Sequence, residues 1–162
     1  MIWVRTNKFD QRARLIADRH YNRQKVGSPQ FAPPGKTVIL YAENEGKKAL
    51  WVSSWQEYIM HAWKNSWNCS LFRNEGAGLS SDLIRQAVAA TLFEWGTPPS
   101  GGMITFVDPR KVKPKRTPGY CYIRAGFRPC GKTKVNQLLV FQLLPSKMPK
   151  PKMPLSRQLS LV

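Results

Sequence analysis

"LFRNEGAGLSSDLIRQAV", residues 71–88, passes from an apolar pair through a polar turn with two glycines into two serines and a helical pattern. Three readings fit: a loop that cradles a phosphate, an active-site turn, or a turn followed by a capped helix. Ile84, Val88, Thr91 or Leu92, and Trp95 recur along one helical face, and Ser80 or Ser81 stands where an N-cap belongs. Upstream, "WNCSLFR" (67–73) reads as a strand, so the stretch is a strand–turn–helix unit. Gly76 and Gly78 would let backbone N–H groups converge at the positive end of the helix, where anions bind. Glu75, inside the same loop, would repel one.

Outward from this unit the chain alternates strands and helices. Residues 2–5 read as a short strand. Asn7, with Asp10 three residues on, reads as the start of a helix whose apolar face holds Phe9, Ala13, Ile16 and His20. "KVGSPQFAPPGK" (25–36) is a Pro/Gly loop. "TVILYA" (37–42) and "ALWVSSW" (49–55) form a hairpin across Asn44-Glu45-Gly46. "MITFVD" (103–108) is a strand ending on an acid. "PGYCYIRAG" (118–126) is a short helix between Pro and Gly. "FRPCG" and "VNQLLVFQLL" (135–144) close the fold as strands. The expected class is α/β, a mixed and mostly antiparallel sheet flanked by helices in one domain over residues 1–144. The Pro/Lys-rich run 145–162 is expected to be a disordered basic tail.

Composition narrows the partners. In 162 residues, 26 Lys and Arg face nine Asp and Glu, a net charge of +17, while 42% hydrophobic content with six Trp implies a packed core. Such an excess calls for a polyanion, and nucleic acid fits best, since each contacted phosphate releases condensed counterions. No long apolar run or leader pattern is present, so a cytoplasmic protein with no membrane partner is expected. Cys69, Cys121 and Cys130 are an odd, loosely spaced set: the nine-residue step from Cys121 to Cys130 is no C-x-x-C, and His20 and His61 lie far from that pair in sequence. They read as reduced thiols and not as a zinc site.

The element order is similar to that of the N-acetyltransferase superfamily known as GNAT, in which a strand leads into an Arg/Gln-x-x-Gly-x-Gly/Ala turn at a helix start. Arg73-Asn74-Glu75-Gly76-Ala77-Gly78 matches that turn, and "YCYIRAGF" (120–127) resembles the family's later Y-x-x-x-G-F segment. A finer resemblance is to the Mom-like DNA-modification proteins of phages, a divergent branch acting on adenine. It rests on "DRHYNRQ" (18–24), "FRNEG" (72–76), "LSSDLIR" (79–85), "TFVD" (105–108) and "PGYCYIRAGF" (118–127).

The resemblance implies a DNA-modifying transferase acting on the exocyclic amine of adenine, shielding phage DNA from restriction inside an infected or prophage-carrying cell. It implies a donor site at Gly76, Gly78, Leu79, Ser80 and Ser81 for acyl-CoA or another acyl donor. It also implies a cleft between two splayed strands. There Arg73, Asn74 and Glu75 would face Asp108, which would serve as general base or amine anchor. The plainer alternative is an Arg73–Asp108 ion pair closing the sheet. Tyr120 or Tyr122 would be the acid that protonates the leaving group, unless both are packing. His20 and Tyr21, with Arg23, would border the acceptor base, or His20 simply packs on its helix. The run Arg110, Lys111, Lys113, Lys115 and Arg116 would position phosphates. Trp51, Trp55, Trp63 and Trp67 are core candidates, one or two of which would stack on an extruded base. No ligand spacing points to a metal, although a cleft with carboxylates and His accommodates one. Two rivals remain: an ordinary acetyl-CoA-dependent acetyltransferase for a protein or small amine, and a non-catalytic nucleic-acid-binding protein. Oligomeric state is open.

Overall fold

The computed structural model describes residues 1–20, 31–55, 63–111 and 117–155. Among them, β1 (Val4–Thr6), β2 (Lys36–Asn44), β3 (Lys47–Trp55), β4 (Trp67–Asn74), β5 (Met103–Val107), β6 (Arg128–Lys132) and β7 (Leu139–Leu143) make one sheet in the order β1-β2-β3-β4-β5-β7-β6. Every pairing is antiparallel except β4 with β5. The mixed, mostly antiparallel α/β class expected from the sequence is the class observed.

The β2–β3 hairpin turns where expected. Glu45 and Gly46 both adopt positive φ, 51° and 78°, which gives a two-residue turn whose twist matches the strands. Helix α1 (Gln11–Asp18) buries Ala13, Ile16 and Ala17 against Ile39, Tyr41, Leu50, Val52 and Leu71 on one face of the sheet. Helices α2 (Ser80–Trp95) and α3 (Tyr120–Arg124) cover the other face, where Leu83, Ile84, Val88 and Tyr122 join Trp3, Trp51, Trp67 and Phe141 in the larger core. The alternation along each strand thus feeds two cores, one per face.

Two helix starts differ from the sequence reading. Asp10, not Asn7, caps α1: its side chain accepts from the Arg12 N–H, and the Thr6 hydroxyl donates to it at 2.6 Å. The helix begins later, so Phe9 falls outside it and is 76% exposed, and His20 lies beyond its end. In α2 neither Ser80 nor Ser81 is the cap. Leu79 holds that position without any side-chain bond, because both serines already lie in the first turn.

The basic tail also follows a defined course as far as Leu155. A turn of 3-10 helix at Pro145–Lys147 leads into an extended run whose Lys152 N–H donates to the Ala89 carbonyl and whose Leu155 N–H donates to that of Trp3. Pro154 is buried and Met148 packs on the larger core. The expectation of disorder is therefore corrected for 145–155. Backbone hydrogen bonds and a few apolar side chains seat a segment whose composition reads as solvated. Residues 156–162 lie outside the described residues. No helix among the described residues is long and apolar enough to cross a membrane.

Candidate active site at the parting of β4 and β5

The one parallel pairing is short. β4 and β5 pair at Trp67 with Met103, Asn68 with Ile104 and Cys69 with Thr105, and no further. Beyond Cys69, β4 stays with β3 as far as Asn74, while Phe106 and Val107 of β5 stay with β7. The two halves of the sheet therefore part after Cys69 and Thr105. A bulge marks the same level: Val52 faces Leu71 and Ser53 faces Cys69, leaving Ser70 as an extra residue in β4. Bulges bend a strand and raise its twist, which is the local cause of the divergence.

Tyr122 stands at the vertex. Its ring meets Phe72 of β4 edge-on at 6.3 Å and stacks on Phe141 of β7 at 6.3 Å, so one side chain spans both halves. Its hydroxyl approaches the Cys69 Sγ at 3.9 Å, and the Thr105 hydroxyl donates to the Cys69 carbonyl at 3.1 Å. Burial, reinforced by the neighbouring thiols, raises the phenol well above its ordinary range, so it stays protonated. Of the two candidate tyrosines, Tyr122 points inward and Tyr120 is 58% exposed. Burial likewise pushes the Cys69 thiol up to about 12, which removes it as a nucleophile. All three cysteines are free thiols.

One lip of the parting is the loop after β4. The Asn74 side chain organises it: its oxygen accepts from the N–H groups of Gly76 at 2.9 Å and Ala77 at 3.0 Å, and its nitrogen donates to the Gly78 carbonyl at 2.7 Å and the Ser80 hydroxyl at 2.9 Å. The Glu75 N–H goes to the Lys48 carbonyl at 2.8 Å. Three of the N–H groups expected to converge on a phosphate are thus engaged within the protein. The region next to Leu79, Ser80 and Ser81, at the α2 N-terminus, is what remains for an anion. Gly76, at φ 105°, has the backbone that the loop requires and that a side chain would strain.

Glu75 does not face the loop alone. Arg19, just past α1, grips it through Nε at 2.6 Å and Nη2 at 2.7 Å, and Arg73 donates its Nε at 2.8 Å. Hydrogen bonds first from Arg19 and then from Arg73 hold this carboxyl at about 2, well below the usual range. The repulsion toward an anion expected of Glu75 is accordingly offset by two guanidiniums. Arg19 stands in "DRHYNRQ", yet nothing local marks it as the partner of Glu75, which is 56 residues away.

The other lip is Asp108, directly after β5 and buried at 8% exposure. Its carboxylate accepts from the Arg110 N–H at 3.0 Å, from Nε at 3.0 Å and from Nη2 at 3.1 Å. Arg110 thereby lowers its pKa. The Arg73–Asp108 ion pair weighed from the sequence gives way to local partners: Arg73 with Glu75, Asp108 with Arg110. The signal was available in Asp-Pro-Arg, since an Asp side chain commonly bonds the backbone two residues on. Arg110 is for the same reason not a free phosphate ligand, while Lys111 is exposed.

His20 is half-buried, with its N–H on the Ala17 carbonyl. Tyr21, Arg23, Lys113, Lys115, Arg116 and His61 lie outside the described residues. Trp51 and Trp67 are fully buried core, whereas Trp55 and Trp63 are partly exposed, the latter edge-on to Phe106 at 6.1 Å. Among the described residues, no group of three His, Cys, Asp or Glu side chains is gathered closely enough to hold a metal ion. Comparison of the chain with protein-family models, with curated proteins and with solved structures gave no match.

Proposed function

We propose that this chain is a GNAT-like transferase of the Mom-like kind, which modifies the exocyclic amine of adenine in DNA with an acyl-type donor. The observation that carries the reading is the parting of β4 and β5, with Arg73, Asn74 and Glu75 on one lip, Asp108 on the other and Tyr122 at the vertex. The net charge of +17 supports DNA as the acceptor, because a protein or small-amine substrate calls for no such field.

The chemistry is demanding, since the amine lone pair is delocalised into the purine ring. The base must be extruded, oriented and relieved of a proton as the new N–C bond forms. Asp108, ionised and fixed by Arg110, accepts a hydrogen bond from the amine. It concentrates electron density on the nitrogen as the proton leaves. Its lowered pKa makes it a weak base, so it anchors the amine and passes the proton leaving the nitrogen on to solvent, as the N–C bond forms and the bond from the acyl carbon to the departing group breaks. Tyr122, the inward tyrosine, retains its proton and donates toward the departing group of the donor. Loop N–H groups engaged by Asn74 weigh against a pyrophosphate at Gly76 and Ala77, and so against an ordinary acetyl-CoA enzyme.

The test is a nucleoside digest. DNA from bacterial cells producing the protein, hydrolysed to nucleosides and analysed by mass spectrometry, is expected to contain a heavier deoxyadenosine. Asp108→Asn is expected to reduce it about 100-fold or more while leaving DNA affinity nearly unchanged; its melting temperature should fall slightly, through loss of the charge that Arg110 holds. A digest with only ordinary nucleosides would leave the non-catalytic binder as the better reading.

A further inference from the structure

Asp108 is the last acidic residue of the sequence, and 13 of the 26 basic residues follow it. The fold gathers part of that carboxylate-free chain at one edge of the sheet. β6 is the terminal strand, and Arg128 and Lys132 on it are exposed, as is Lys134 in the turn to β7. Among the described residues, no carboxylate forms an ion pair with any of the three. Pro129 fits this position, because an edge strand tolerates a residue without an N–H.

The turn is rigid. The Thr133 N–H donates to the Leu138 carbonyl at 2.9 Å, the Leu138 N–H returns to the Thr133 hydroxyl at 3.0 Å, and the Gln137 side chain closes on the Lys134 carbonyl at 3.0 Å. It is also tied to the candidate site. Val107 pairs with Leu139, so the turn begins beside Asp108, and the Arg110 Nη2 reaches the Asn136 carbonyl at 3.4 Å. Cations without a carboxylate partner among the described residues, on a preorganised turn next to the lip where a base would enter, suit a charged polymer better than a small anion.

We propose that the β6 edge and the β6–β7 turn, through Arg128, Lys132 and Lys134, form the surface on which the sugar–phosphate backbone of duplex DNA lies beside the parting of β4 and β5. The proposal rests on the reading of DNA as the partner, and adds where the duplex sits. Backbone contacts at this edge hold the strand while one base leaves the stack toward Asp108. Lysines on an edge strand also deter edge-to-edge pairing, a role that involves no phosphate.

The test compares two charge-matched variants of the full chain. One carries Arg128→Ala, Lys132→Ala and Lys134→Ala. The other carries Lys8→Ala, Lys36→Ala and Lys48→Ala, on the β1–β3 side. Affinity for a defined DNA duplex is measured against salt concentration, with melting temperature as the check of folding. At about 0.9 units of log–log slope per phosphate contact, the edge variant is expected to lose roughly 2–3 units and the control less than one. Equal losses in the two variants, or an unchanged slope in the edge variant, would overturn the proposal. So would tighter binding of an RNA duplex of the same sequence. Failure of the wild-type protein to modify DNA would sink the transferase reading while leaving this surface standing.

Discussion

Glu75 is the residue through which three segments meet: α1 by way of Arg19, β4 by way of Arg73, and the loop it belongs to. Its carboxyl titrates at about 2 in the folded protein, against an ordinary value near 4.5. A depressed pKa gives stability that is present above the unfolded value and lost as pH falls through the folded one. Glu75→Gln should therefore melt below the wild type at neutral pH, with the gap closing between about pH 4.5 and 2, as thermal melts across that range would show. Persistence of the full gap at pH 2 would mean that packing, not charge, sets the effect. Asp108 gives a second residue-scale prediction. Arg110 lowers its pKa, so under the proposed function Arg110→Gln should move the acid limb of the modification rate to higher pH. An unmoved limb would show that another group governs it.

At the scale of elements, a packed aromatic group occupies the vertex of the parting. Helix α3 seats Tyr122 between Phe72, Phe127 and Phe141, and its approach depends on Gly119. A Cβ at Gly119 would lie 2.3 Å from the Phe141 ring, and the residue's φ of 75° is a left-handed one. Gly119→Ala should cost roughly 2–4 kcal/mol, from left-handed strain together with overpacking. Denaturant unfolding measures that cost, and near-UV circular dichroism should report the displaced aromatic stack. A loss under about 1 kcal/mol would show that α3 shifts freely and that Tyr122 is not fixed at the vertex.

For the molecule as a whole, the run from Pro145 to Leu155 is a strap. It leaves β7, bonds α2 at Ala89 and ends in a bridge between Leu155 and Val4 of β1. It joins the last strand in sequence to the edge strand at the opposite end of the sheet. Ending the chain at Lys147 removes these bonds and the buried Pro154, so the melting temperature should fall by several degrees. For a domain of this size about 1 kcal/mol corresponds to roughly 2–4 °C. An unchanged melting temperature would restore the reading of a loose tail.

The sequence by itself determined the local order of this protein. Turn chemistry at Glu45-Gly46, strand alternation and the helical period after Leu79 are all written within a few neighbouring residues, and each element was legible for that reason. So was the sign of the chain's own charge, since net charge does not depend on folding. The caps of both helices were legible only to within a few residues: Asn7 and Asp10 compete at the start of α1, where side-chain geometry chooses Asp10, and at α2 the backbone alone places Leu79 ahead of two serines. The tertiary structure decided the pairings between distant residues. It put Arg19 on Glu75, Tyr122 rather than Tyr120 at the vertex, and a Pro/Lys run against α2. Partners such as Arg19 and Glu75 are far apart along the chain, and burial is a property of the assembled sheet. No local pattern encodes either of them.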